Sequence, residues 1–184
     1  SAACHGEMSD NDYSLNPITP YGISKLSSEN YLNFYKEKYN LDILIFRFFS
    51  IFGEGSKKQV IHDTTKKLVK NKSEFTVYNP NSRRDFIHIE NAIKMMLFVC
   101  ENRHPSRFCF DIGSGTNRSI MGITNKIINI MDINPKINKK VLDLKGDPII
   151  QSSDISIINN LGYKPDINFQ EDLEKTVQWI MKDD

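Results

Sequence analysis

Apolar residues recur along the chain at two spacings, and the alternation between them predicts the elements. Behind Pro20, the residues Leu26, Tyr31, Leu32, Phe34, Tyr35 and Tyr39 fall at helical spacing, which predicts a helix over 21–40. Residues 41–49 form a nearly continuous apolar run broken by Asp42 and Arg47, the pattern of a strand buried on both faces of a parallel sheet. A loop with Gly53 and Gly55 leads into a helix from about 59 to 69. Short strands over 74–78 and 84–88 flank the turn Asn79-Pro80-Asn81-Ser82. The pattern then predicts a helix over 90–101 carrying Ala92, Met95, Met96 and Val99, and a buried strand over 108–112. An amphipathic helix over 120–131, a short strand over 141–144, a small helix over 155–161 and a final helix over 171–181 complete the chain. Residues 6–20 carry little apolar periodicity and read as a long loop, a kind of segment that is often functional.

Strands alternating with helices argue for an α/β sheet, and no repeat, low-complexity stretch or obvious linker divides the chain. At 184 residues, 39% hydrophobic and 26% charged, it has the composition of one globular unit. A formal net charge of +1 supplies no basic field for nucleic acid and no acidic tail, so ligands must be bound locally. Cys4, Cys100 and Cys109 have neither CxxC spacing nor a histidine partner set, which indicates no disulfide framework and no metal site. His5, His62, His88 and His104 share no ligand spacing and read as structural or surface residues. No run approaches the roughly 18 apolar residues of a membrane span, and no signal peptide is apparent, so a cytoplasmic location and no membrane partner are expected. The chain opens on Ser1 in a small-residue segment, and an N-terminal portion is expected to be missing.

Tyr21-Gly22-Ile23-Ser24-Lys25 is the sharpest chemical signal. A Tyr and a Lys four apart at the start of a helix stand one turn from each other on one face. An ammonium beside a phenol favours the phenolate, which makes such a tyrosine a usable acid/base. By itself the pair also fits the ordinary start of an amphipathic helix.

Together with Ser1-Ala2-Ala3 and the long loop between them, this segment resembles the extended short-chain dehydrogenase/reductases, the sugar-nucleotide epimerase and dehydratase family. The family's Ser/Thr, Tyr, Lys constellation falls on Ser1, Tyr21 and Lys25. Arg47-Phe48-Phe49-Ser50-Ile51-Phe52-Gly53 resembles the strand-end segment R-Y-F-N-x-Y-G, which borders nicotinamide and sugar. Arg84-Asp85-Phe86-Ile87-His88-Ile89 resembles R-D-F-I-x-V, whose arginine meets the nucleotide diphosphate. Asp111-Ile112-Gly113-Ser114-Gly115 resembles the N-x-G-x-G turn. Gly146-Asp147, Asp154 and Leu161-Gly162-Tyr163-Lys164-Pro165 resemble the closing pattern, so the likeness runs through the whole chain.

The resemblance implies the end of a Rossmann-type doubly wound parallel sheet joined to a smaller C-terminal α/β substrate-binding region. The catalytic part would occupy about 1–70 and 84–112, interleaved with a substrate-binding region of about 71–83 and 113–184. It also implies NAD, or NADP, as cofactor, a nucleotide-diphosphate sugar as substrate and a homodimer in the full-length parent. Ser1, Tyr21 and Lys25 would be catalytic and would border the cofactor with Phe49, while Ser50, Tyr78, Arg84 and Lys145 would contact the substrate. The reaction would be transient oxidation at C4 of the sugar, as in enzymes of the UDP-glucose 4-epimerase type. A silent nucleotide-sugar-binding fragment and an NADPH-dependent keto-sugar reductase are the competing readings.

Residue chemistry runs beside these implications. The planar fork of Arg84 suits phosphate oxygens, although a salt bridge to a nearby carboxylate would use it equally well. Tyr78 could stack on a nucleobase or be an ordinary rim aromatic. Gly113 and Gly115 follow a strand as a phosphate loop would, but Arg118 stands at the third glycine position, which favours a plain turn. Ser50 stands where the family commonly has Asn, and Leu144 where many members have Arg, leaving Lys145 as a less directional substitute. The glycine-rich βα turn that holds a pyrophosphate is absent from the sequence, which implies on the order of 100 residues upstream at about 30 per βαβ unit.

Overall fold

The computed structural model describes residues 1–8, 13–104, 107–142 and 146–183. After a 3-10 turn at Ala2–Cys4, the elements in chain order are α1 (Pro20–Tyr39), β1 (Ile45–Phe48), β2 (Ser50–Phe52), α2 (Gln59–Lys70), β3 (Glu74–Tyr78), β4 (Arg83–His88), α3 (Ile89–Asn102), β5 (Cys109–Ile112), β6 (Asn117–Ser119), α4 (Ile120–Ile130), β7 (Lys136–Lys140), α5 (Ser156–Asn160) and α6 (Phe169–Lys182). The fold is mixed α/β. Strands β1 and β5, β2 and β4, and β3 and β7 pair in parallel, and β6 joins β4 antiparallel.

The apolar run over 41–49 is shorter as a strand than its pattern predicts. Residues 41–44 lie outside it, and Leu41 is exposed. Of β1 only Ile45 is buried, because the strand pairs on one side alone. At Phe49 the chain changes partner. The Phe49 N–H still donates to Ile112 O at 3.1 Å, but Ser50 pairs with Phe86 of β4. The strand expected over 141–144 is instead β7, formed by the polar stretch 136–140. Pairing against β3 decides this: Ile137 lies opposite Phe75, and Asn138 donates to Glu74 Oε1 at 2.6 Å. Lysines on an edge strand also discourage further pairing. Val141 is 81% exposed, and 143–145 lie outside the described residues.

Two large apolar cores result, beside a small cluster of Ala2, Met8 and Phe49. Leu68, Ile123, Ile127, Leu173, Val177 and Ile180 join α2, α4 and α6, while Ile87, Met95, Val99, Phe110, Ile112 and Ile158 join β4, α3, β5 and α5. The turn after β5 is organised by a carboxylate. Asp85, fully buried, accepts from the N–H groups of Ser114 (2.8 Å), Gly115 (3.0 Å) and Ser153 (3.1 Å) and from the hydroxyls of Ser114 (2.6 Å) and Ser153 (2.5 Å). Amides that would cradle a phosphate are already engaged, so the glycine pair here makes a turn.

Candidate active site

Helix α1 is built to bring its first turn close to Ser1. Thr19 caps it, accepting from Gly22 N–H at 3.0 Å, and Pro20 occupies the first turn, where it needs no donor. Gly22 then lets the backbones approach: a Cβ there would lie 2.3 Å from Ala3 O. Glycine is therefore required between Tyr21 and Lys25 for contact with the segment that follows Ser1. Ser1 caps the 3-10 turn, its Oγ accepting from Ala3 N–H at 3.3 Å.

Ser1, Tyr21, Lys25 and Phe49 line one open cleft of about 520 Å³, with Phe46 and Phe48 on its wall. Tyr21 is 57% exposed, and Lys25 Nζ stands 5.4 Å from the centroid of its ring. A phenol beside an ammonium, open to a ligand in a cleft that a serine and aromatic side chains also line, has the chemistry to exchange a proton with an alcohol.

Beneath the cleft lies a buried polar network. Glu29 receives Arg47 bidentately, Nη2 to Oε2 at 2.6 Å and Nε to both oxygens at 3.1 Å. Burial pushes the Glu29 carboxyl up, but the hydrogen bond and charge of Arg47 outweigh it and hold the group below its ordinary value. Arg47 is raised in return by Glu29, against its own burial. Cys4 donates to Glu29 Oε1 at 3.4 Å, and burial, then Glu29, push its thiol up. Burial takes Cys109 to about 11. Neither thiol is thus a thiolate nucleophile at neutral pH.

The other expected contacts fall elsewhere. Ser50 is half-buried in β2 and does not line the cleft. Tyr78, 46% exposed, lines a separate groove of about 270 Å³ with Lys67, Phe75 and Thr124. Arg84 has taken the salt bridge: Nη2 is 2.6 Å from Asp147 Oδ1, and Nη1 donates to the carbonyls of Arg83 (2.8 Å) and Ile149 (3.3 Å). Asp147 in turn lines a cleft of about 530 Å³ with Glu7, Asn79, Ser82, Leu142 and Ile149. Lys145 lies outside the described residues.

Two wall and support residues escaped the sequence reading. Gln59 lines both the Tyr21 cleft and the Tyr78 groove, at a left-handed φ of 77° that no local glycine or asparagine announces. His5 is 2% exposed, and its partner Asp111 is 106 residues away, a separation that carries no local signal. Among the described residues no group of three His, Cys, Asp or Glu side chains could hold a metal, and no helix is long and apolar enough to cross a membrane.

Residues 2–113, more than half the chain, match the NAD dependent epimerase/dehydratase family. The chain belongs to that family. Among curated relatives, the chain is 26% identical over 192 residues to UDP-glucuronate 4-epimerase 5 of Arabidopsis thaliana, covering 95% of this chain and 44% of the relative. To the dTDP-4-dehydro-6-deoxyglucose reductase of Escherichia coli it is 26% identical over 180 residues, covering 92% and 54%. The crystal structure of UDP-glucuronic acid 4-epimerase from Bacillus cereus, in complex with UDP-glucuronic acid and NAD, superposes with a TM-score of 0.86 at 24% identity. That likeness covers 98% of this chain and 59% of the other, and it shows the Rossmann-like fold of the family. The chain spans about half the length of the curated relatives it matches.

Proposed function

We propose that this chain supplies the catalytic and sugar-facing part of an NAD(P)-dependent epimerase or dehydratase acting on a nucleotide-diphosphate sugar. The carrying observation is the single cleft shared by Ser1, Tyr21, Lys25 and Phe49, with the tyrosine exposed. A nicotinamide dinucleotide would supply the hydride exchange at the sugar carbon. Phe49 and Lys25, which line the same cleft, would meet its nicotinamide and ribose end with an aromatic side chain and a cation. Tyr21 takes the proton of the sugar hydroxyl, Ser1 hydrogen-bonds the same oxygen, and Lys25 steadies the charge left on the phenol oxygen.

Tyr78 and Arg84, with Asp147 holding the Arg84 fork, are the proposed contacts of the nucleotide and its diphosphate. Lys145 is proposed as a further substrate contact. Relatives that act as epimerase and as reductase support the coarse reaction class, since proton exchange at one sugar oxygen serves both.

In the full-length protein Tyr21→Phe is expected to lower turnover of a nucleotide sugar by about 100-fold or more, the range of general acid/base removal, with substrate affinity nearly unchanged. Steady-state kinetics and a binding titration check both halves. Undiminished turnover would remove Tyr21 from the mechanism. Titration with a nucleotide sugar and, separately, with NAD distinguishes a silent sugar-nucleotide module, which binds the first alone.

A further inference from the structure

We propose that His5, which none of the catalytic steps uses, is a positioning residue: a ring protonated on both nitrogens that clasps Ser1 to the start of α1. Its Nδ1 faces two carbonyl oxygens, Tyr13 O at 3.0 Å and Ser14 O at 3.3 Å. Its Nε2 lies 3.3 Å from each carboxylate oxygen of Asp111. Carbonyls only accept, so Nδ1 must carry a proton. A bare Nε2 would then turn its lone pair on a carboxylate in a site where the two residues are 2% and 7% exposed. Against an Asp111 carboxylate, a second ring proton satisfies both ends.

The surrounding charges fit that assignment. Arg47 Nη1 stands 3.9 Å from Asp111 Oδ1 and the Asp154 N–H donates to Asp111 Oδ2 at 3.3 Å, so both oxygens of Asp111 meet donors. Arg47 is paired with Glu29, on which the Cys4 thiol also rests. Two cations and two carboxylates thus balance. A further neighbour is the ring of Phe49, 5.9 Å away, which also lines the cleft.

What the clasp holds is the approach of the two catalytic segments. His5 N–H donates to Ala2 O at 3.1 Å and His5 O accepts from Asn16 N–H at 3.3 Å, so the ring and backbone of one residue tie the 3-10 turn to the segment entering α1. Gly6, at φ 73°, follows at once, and a Cβ there would sit 2.0 Å from Asn16 O. With the proton on Nε2, residues 13–16 and the end of β5 are drawn to the same ring. Loss of that proton sets a lone pair against Asp111, and the segments that carry Ser1 and Tyr21 lose a common anchor.

This inference rests on the reading of Ser1 and Tyr21 as catalytic, and its test separates the two. In the full-length protein, ¹⁵N signals of the His5 ring should show both nitrogens protonated throughout the pH range of full turnover, with turnover falling as the second proton leaves. Asp111→Asn gives Nε2 an amide donor and leaves Nδ1–H on its carbonyls, so turnover should persist while its alkaline limb shifts or disappears. His5→Phe should lower kcat at least about tenfold, as misplacement of catalytic groups does, with KM little changed. A neutral His5 ring at full turnover, or a wild-type pH profile in Asp111→Asn, would overturn the clasp. If His5→Phe fails to fold, the ring signals and Asp111→Asn still decide. Should Tyr21→Phe retain its activity, the catalytic reading falls, while the ring signals continue to test the protonation of His5.

Discussion

Helix α6 buries Phe169, Asp172, Leu173, Thr176, Val177 and Ile180 along 14 residues, whereas α1, with 20, buries Gly22 and Glu29. Both are expected from the sequence as helices. Yet α6 is fixed by apolar side chains fitted into a core, and α1 by a close backbone approach, a cap and an ion pair. The difference suits the role proposed for Tyr21 on α1. A helix that presents an acid/base to a ligand must leave its first turn open, so the contacts that locate it are concentrated in a few polar groups on its inner side.

If that contrast is right, the largest loss of stability comes from α6. Leu173 is fully buried in the core shared with α2 and α4. Leu173→Ala should cost about 2–5 kcal/mol, the lost transfer energy plus the cavity left behind, read from chemical denaturation. A cost below about 1 kcal/mol, the scale of a surface substitution, would mean that α6 is not packed as described.

The matching change on α1 acts through charge. Glu29→Ala strands Arg47 beside Asp111 in a site where the arginine side chain is 15% exposed. Breaking a buried pair in this way should cost about 3 kcal/mol, and it should also alter the pH dependence. Because Arg47 holds the folded-state value of Glu29 below its unfolded one, the stabilisation is present above the unfolded value and is lost as pH falls through the folded value. The wild type should therefore lose stability toward acid more steeply than Glu29→Ala. Equal acid slopes would show that the pair is not what secures α1.

These two helices also mark what was legible in the sequence. Their existence follows from period and, for α1, from Pro20, whereas α6 starts at Phe169 behind Asn168, two residues before the expected 171. Which face was buried did not follow, because Tyr31, Phe34 and Tyr35 have the period of a core face and yet stand open. The Tyr21 and Lys25 pair was readable because a helix turn sets the distance between residues four apart. Asp147 facing Arg84 and Asp111 facing His5 were not, since each pair is joined only by the tertiary fold, across 63 and 106 residues. Strand β7 was misplaced for a related reason. Its partner β3 recruits a lysine-rich stretch through backbone pairing and one half-buried isoleucine, while the more apolar Val141 and Leu142 beside it remain outside the strand.

The smallest expected effect on stability belongs to the outer face of α1. Tyr31 is 69% exposed, Phe34 52% and Tyr35 46%, and with Ser27 and Asn30 they line an open groove of about 520 Å³. Among the described residues β1 pairs with β5 alone, which leaves its other edge free near the same helix. Exposed aromatics in a row and an unpaired strand edge each favour association with another chain. Removing them should cost the folded monomer little, within about 0.5 kcal/mol as for other surface substitutions, because they contact little within it. Tyr31→Ser combined with Phe34→Ser should leave the melting temperature of dilute 184-residue chain nearly unchanged. The same change should lower its apparent mass in light scattering at high concentration and reduce binding of a hydrophobic dye. Should the parent chain already scatter as a monodisperse monomer without binding dye, the aromatic face is tolerated in water, and the contrast between α1 and α6 would lie in packing alone.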